Sequence, residues 1–232
     1  MGAPVTYELD GGIATLTMDD GKVNVLSLEM LAALNAALDE AVADQAVVVL
    51  TGRPGLFSAG FDLAVLTAGG TAAADMLNGG FKLAERLLSF PTPTVIACPG
   101  HAIAMGVFVL LSADYRLGAS GSFKIVANEV ALGMSMPATA IEICRQRLAP
   151  ACFNRAIILA ETFSPESAVP AGFLDRVVPA ADLMDSARAT AADLAKLNMT
   201  AHAASKLHAR AQSLSAIRTA IEADDAAMRA HL

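Results

Sequence analysis

Glu129 is the only acidic residue between Asp114 and Glu142. It stands in the stretch SFKIVANEVALGM, among Ile125, Val126, Ala127, Val130, Ala131 and Leu132. A glutamate so placed is either a solvated loop residue or a carboxyl held in apolar surroundings. In the second case its pKa rises toward the range in which it can take and return a proton at neutral pH. Two Gly- and Ala-rich stretches offer complementary chemistry. GRPGLFSAGFDL, from Gly52 to Leu63, and PGHAIAMG, from Pro99 to Gly106, each follow an apolar run of strand length. Ligands of α/β folds sit at the carboxyl ends of such strands, and small residues let a ligand approach the backbone. A helix starting near Met105 adds its positive end. Two such loops can aim two backbone N–H groups at one oxygen, which is how an oxyanion is held. Glycine-rich turns after strands also occur with no ligand at all.

Other chemistries find less support. Ser58 has no GxSxG context and is not read as a nucleophile. No His/Asp/Glu cluster has metal-ligand spacing, so no metal is expected. Cys98, Cys144 and Cys152 are odd in number and form no CxxC pair, which argues against a disulfide framework and against zinc. Thiols in a core suit a reducing compartment. His101 is either a second acid–base group or a loop residue satisfied by backbone. His202, His208 and His231 are assigned no role.

The elements that must position these residues alternate. Gly12–Met18 reads as a strand, and Ser27 caps a helix running to about Val42, with Leu31, Leu34, Leu38 and Val42 on one face. Residues 45–51 and 94–98 are continuous apolar runs, the pattern of strands buried on both faces. Helices are predicted over 72–89 and 105–113, with a further short strand over 114–117. Ser164-Pro165 opens a short helix that Gly172 closes, and 173–179 is a short strand or an extended link. Two or three Ala-rich helices follow from Ala181. Strand and helix in alternation predict an α/β fold with crossovers, with a core over 1–180 and a helical region over 181–232.

The chain of 232 residues is 55% hydrophobic and 17% charged, so a large core or subunit interface is expected. Its net charge of −7 argues against nucleic-acid binding. Lys22, Arg53, Lys82 and Arg86 remain as local cations for a small phosphorylated ligand. The N-terminus has no secretory pattern, and the superficial myristoylation pattern at Gly2 is discounted for Pro4. The longest apolar stretch, 102–113, is too short to span a bilayer. A soluble cytoplasmic protein with no membrane partner is expected.

FSAGFDL followed by PTPTVIACPGHAIAMGVFVLLSADYRLGA resembles the signature of the crotonase superfamily, the enoyl-CoA hydratase/isomerase proteins. The resemblance runs from DDGKVNVLS through PESAVPAGFLDRVVP. It implies a spiral of β-β-α units, C-terminal helices that form a homotrimer or a dimer of trimers, and an acyl-CoA thioester as ligand. Coenzyme A is then part of the substrate, and no separate cofactor is implied. The resemblance gives the oxyanion donors as the N–H of Phe61 and of Met105, where most relatives have Gly; Gly106 is the alternative for the second. Coenzyme A is expected along the backbone of Val23 to Val25 and of Ala59, Gly60, Phe61, Asp62 and Leu63. Lys22 is either its phosphate contact or a solvated lysine.

Hydratases of the family use two carboxylates. Here the first position falls on Phe108, while Glu129 fills the second. One Glu, an apolar residue in place of the other, and an Asn-Glu pair are similar to the 3,2-enoyl-CoA isomerase branch. The implied reaction moves a 3-enoyl double bond to the 2-position by a single-glutamate shuttle. The alternatives are an enoyl-CoA hydratase or other crotonase reaction, and an acyl-CoA binding protein without chemistry.

Overall fold

A computed structural model describes residues 3–230; Gly2 and His231 lie outside the described residues. The chain repeats a β-β-α turn. The first turn is β1 (Val5–Asp10), β2 (Ile13–Met18) and α1 (Leu28–Ala43). The second is β3 (Val47–Thr51), β4 (Gly55–Ser58), α2 (Leu63–Ala68) and α3 (Gly70–Leu88). The third is β5 (Thr94–Cys98), β6 (Gly100–Ile103) and α4 (Met105–Leu111). The fourth is β7 (Tyr115–Ala119), β8 (Ile125–Val126) and α5 (Ala138–Arg145). After these come α6 (Pro150–Ile157), α7 (Pro165–Ala171), β9 (Arg176–Val178), α8 (Leu183–Leu194), α9 (Met199–Ala209) and α10 (Ala211–Arg229).

From the second turn on, the first strand of each turn joins a sheet of order β1-β2-β3-β5-β7-β9. The second strand joins a smaller sheet, β4-β6-β8. Among the strand pairs of the described residues, β1 and β2 run antiparallel and the others parallel, as crossovers through helices require. Every residue of β3 and of β5 is buried. Leu183, Ala187 and Ala191 of α8 cover one face against Val47, Val49, Val95 and Ala97. The main core, which includes Leu34, Leu50, Ile96 and Phe108, covers the other. The protein is therefore the α/β fold that the residue pattern predicts, wound as the resemblance implies.

Helix signals hold at their ends. Ser27 accepts from the Met30 N–H, and Ser164 closes a capping box with Ser167 before Gly172 ends α7 in the left-handed region. Val42, expected on the buried face of α1, is exposed, and Ala41 takes its place inside. The main correction concerns the two glycine-rich stretches, read as loops throughout. Each contains a short strand, β4 or β6. Four residues carrying glycine give no period to detect, yet glycine is what lets these strands meet. A Cβ on Gly100 would fall 1.9 Å from the Gly55 carbonyl carbon. Strand β1 was not expected either, although Gly11 and Gly12, both at positive φ, supply the two-residue turn of a hairpin.

Candidate active site

Ser58 ends β4 and is fully buried. Its Oγ donates to the Asn24 carbonyl at 2.7 Å and accepts the Gly60 N–H at 3.1 Å. Asn24 sits at φ 50°, a conformation Asn tolerates. Its Nδ2 donates to the carbonyls of Met18 and Phe57. The loop before α1 is in turn gathered by Asp20, which accepts the N–H groups of Lys22, Asn24 and Val25. Burial works to raise the Asp20 pKa, but these three bonds and nearby Arg53 bring it below the ordinary value. The two loops then run side by side: Ala59 N–H donates to the Val23 carbonyl and Leu26 N–H to the Gly60 carbonyl.

This arrangement fixes the peptide between Gly60 and Phe61. Gly60 adopts φ 90°, and a Cβ there would lie 3.2 Å from the Met105 nitrogen. The ends of the two glycine-rich segments are thus in contact. Among the described residues, no protein acceptor takes the N–H of Phe61 or of Met105. Met105 is the first residue of α4, where N–H groups have no intrahelical partner. The unfavourable backbone geometry falls on Ala104, at φ 49° and ψ −123°, a region that favours glycine. Replacing Ala104 by Gly is expected to stabilise the fold by about 1 kcal/mol, read as a higher denaturant midpoint with an unchanged slope. Gly106 turns its α-carbon onto Ser58, whose carbonyl oxygen would be 2.7 Å from a Cβ.

A cavity of about 540 Å³ opens beside these groups, lined by Phe61 and by Ala104 but not by Met105, which is fully buried behind it. Ala59, Phe61 and Ala104 form its floor, and Phe81, Phe108 and Leu132 are among its apolar walls. Glu129 is the one carboxylate among the described residues that line it. The residue is 7% exposed, and its Oε2 is buried without a hydrogen-bond partner among the described residues. Burial drives its pKa up to about 7, against the smaller opposing effect of its own backbone N–H. The main chain holds it firmly, because its carbonyl accepts from Leu132 and Met134 N–H at the turn over Val130–Leu132. Asn128 faces the same cavity, and its Oδ1 also lacks a partner there. Phe108, in the place expected for a second carboxylate, is 1% exposed and packs near Phe81 with ring centroids 6.4 Å apart.

Not every residue singled out in the sequence reaches this cavity. Val23 and Val25 run beside Ala59 and Gly60 but, like Lys22, do not line it, and Lys22 is exposed. Leu63 lies at the cavity and is 56% exposed, while the Asp62 carboxylate caps α2 by accepting from Ala64 and Val65 N–H. Arg86 is engaged by Asn35 and Asp39, and Arg53 by Asp19. His101 is held by backbone: its Nδ1 accepts the Lys124 N–H at 3.0 Å. Asp114 accepts from Thr94 N–H and Lys206, a structural use. Sequence reasoning passed over Asp20 and Asn24, although Asp followed by Gly is a turn signal. No group of three or more His, Cys, Asp or Glu residues among those described is arranged to hold a metal. No described helix is long and apolar enough to cross a membrane.

The family model for enoyl-CoA hydratase/isomerase matches residues 8–231. The chain belongs to the enoyl-CoA hydratase/isomerase family. Among solved structures, an enoyl-CoA hydratase/isomerase family protein from Pseudomonas syringae is 50% identical, with a TM-score of 0.95 over 97% of this chain and 98% of that one. A Mycobacterium tuberculosis protein, named an enoyl-CoA isomerase in one structure and a probable enoyl-CoA hydratase in another, is 48% identical, with a TM-score of 0.94 over 97% and 99% in the first. Among curated proteins, a carnitinyl-CoA dehydratase of Salmonella enteritidis is 29% identical over 88% of this chain and 79% of its own. The protein is thus an enzyme of the hydratase/isomerase family, whose members differ in reaction while sharing a fold.

Proposed function

We propose that the protein isomerises 3-enoyl-CoA thioesters to their conjugated 2-enoyl forms, with Glu129 as the only proton carrier. The observation that carries this reading is a cavity with one partnerless carboxylate and Phe108 where a second would stand. The similarity to a human mitochondrial delta3-delta2-enoyl-CoA isomerase, 30% identical with a TM-score of 0.91 over 97% of this chain and 90% of that one, supports it.

The thioester oxygen lies against the N–H groups of Phe61 and Met105. Glu129, ionised, removes a proton from C2. The electron pair moves toward the thioester oxygen, giving a dienolate that the two donors stabilise by about 3 kcal/mol each. Protonated Glu129 then returns the proton to C4, and the double bond comes to rest between C2 and C3. No water is consumed, and Phe108, Phe81 and Leu132 keep the cavity apolar. The backbone of Val23 to Val25 and of Ala59 to Leu63 holds coenzyme A as part of the substrate, with Lys22 free to meet a phosphate; no other cofactor is needed. The same reading takes the chain as a cytoplasmic trimer or dimer of trimers. Exposed Ile158, Leu159 and Leu197 suit such an interface.

The test is a comparison on one preparation: conjugation of a 3-enoyl-CoA against hydration of a 2-enoyl-CoA. Conjugation is expected to be faster by at least about a hundredfold, the scale of one missing acid–base group. A faster hydration rate gives the site to hydratase chemistry. The pH profile follows from Glu129, which must begin as the base. With a pKa of about 7, kcat/KM is expected to rise with pH through about 7 and to fall tenfold for each unit below it.

A further inference from the structure

Gly79 and Gly80 stand side by side in the interior of α3, where glycine is among the poorest helix formers. Neither has a positive φ, so no turn requires them, and space must account for each. A Cβ on Gly79 would lie 3.3 Å from Cδ1 of Leu31, the end of a flexible side chain. A Cβ on Gly80 would lie 2.5 Å from both Cε1 and Cζ of Phe61, well inside contact distance, and 3.5 Å from Cε of Met105. Gly80 is buried and does not itself line the active-site cavity.

The ring that fills this notch belongs to the residue whose N–H is assigned to the thioester oxygen. Phe81, the next residue of α3, meets the same ring edge to face, with centroids 6.2 Å apart and planes at 83°. Phe61 is thus gripped by two consecutive residues of one helix: Phe81 supplies an aromatic partner and Gly80 supplies room. A ring packed in this way keeps its rotamer, and the rotamer constrains the backbone that carries it. The Gly60–Phe61 peptide is therefore restrained twice. Ser58 Oγ accepts the Gly60 N–H on one side, and the seated ring holds the other. The open space beside the ring is the cavity that Phe61 lines, so a methyl group on Gly80 turns the ring toward it and carries the N–H off line.

We infer that Gly80 is a positioning residue for the oxyanion donor of Phe61. It touches neither the substrate nor the reacting atoms, and it acts by seating the ring. The inference rests on the assignment of the Phe61 N–H to the thioester oxygen.

The experiment compares Gly79→Ala with Gly80→Ala, the second also combined with Phe61→Leu, which keeps the N–H but removes the ring from the notch. Both alanines favour the helix, so an effect on the helix alone would treat them alike. Two quantities are read. One is kcat and KM for a trans-3-enoyl-CoA. The other is the absorbance of bound dimethylaminocinnamoyl-CoA, a conjugated thioester whose band moves to longer wavelength when donors polarise its carbonyl. Gly79→Ala is expected to keep kcat within about twofold of the native value and to keep the red shift. Gly80→Ala is expected to lower kcat about thirtyfold, less than the loss of a whole donor, with little change in KM, and to lose much of the red shift. In the Phe61→Leu background the same change at Gly80 costs less than about threefold, because the two residues act through one contact.

Native kinetics and a native red shift in Gly80→Ala overturn the inference, as does an equal loss in both backgrounds. If Gly80→Ala does not fold, Phe61→Leu alone decides: the red shift weakens once the seated ring is gone, and an undiminished shift overturns the inference. A red shift that depends on Gly80, in a protein that does not conjugate 3-enoyl-CoA, sinks the isomerase reading alone. A native protein that binds the probe with no red shift removes the donor assignment and the inference with it.

Discussion

Glu129→Gln is expected to lower kcat for 3-enoyl-CoA conjugation by about a thousandfold or more, at the upper end of what one acid–base group contributes. The amide fills the same space and keeps a polar head in the cavity, but it can neither accept the C2 proton nor return one to C4. Binding of coenzyme A thioesters should change little, because Phe61 and Met105 N–H hold the carbonyl. The same substitution should stabilise the protein at high pH. Glu129 has a pKa of about 7 in the fold against an ordinary 4.5, so the native state binds its proton more tightly than the unfolded chain does. Its contribution to stability therefore falls as pH rises from about 4.5 to about 7, and above 7 the penalty is complete. A shift of that size is on the order of 3 kcal/mol. Gln carries no such penalty. The variant should melt above the native protein at pH 8 and near it at pH 4.5. Equal melting at both pH values would mean that Glu129 is not held in a dry site.

Gly60→Ala is the second large effect. Gly60 adopts φ 90°, and an added Cβ would approach the Ala104 Cβ and the Ile103 carbonyl oxygen to 2.9 Å each. Both neighbours belong to the β6–α4 connection that presents Met105, so the methyl forces apart the two segments that supply the donors. A left-handed backbone adds strain of about 1–3 kcal/mol for a residue with a side chain. Activity should fall about a hundredfold, the scale of one oxyanion donor, mostly in kcat. Denaturation should show a loss of about 2 kcal/mol. Kinetics like those of the native protein would show that the Phe61 and Met105 N–H groups do not act on one oxygen.

The two carriers of this chemistry were unequally visible in the sequence. Glu129 could be picked out because it is the only acid between Asp114 and Glu142 and stands in an apolar run, although a solvated loop glutamate fits the same pattern. Its burial then followed from Ile125, Val126 and Ala127 entering the core as β8 and the residue after it. Strands β3 and β5 were legible because parallel strands covered on both faces must be apolar throughout. The strands β4 and β6 were not, since the glycines that permit their close approach erase the alternation that marks a strand. Nor could spacing reveal that Ser58, which takes the Gly60 N–H, would also bond the Asn24 carbonyl 34 positions before it. Ala104 gave no signal either: its unusual backbone is imposed by the elements on both sides, and an alanine reads as ordinary helix.

The central claim is that one carboxyl group performs both proton transfers. It is tested most directly by a single-turnover reaction of a trans-3-enoyl-CoA carrying deuterium at C2, run in ordinary water, with the product examined by NMR. The account predicts that part of the deuterium reappears at C4 of the 2-enoyl thioester, because a buried Glu129 keeps the proton it has taken. Conjugated product whose C4 hydrogen comes wholly from solvent, or a 3-hydroxyacyl thioester in its place, would contradict a one-glutamate isomerase.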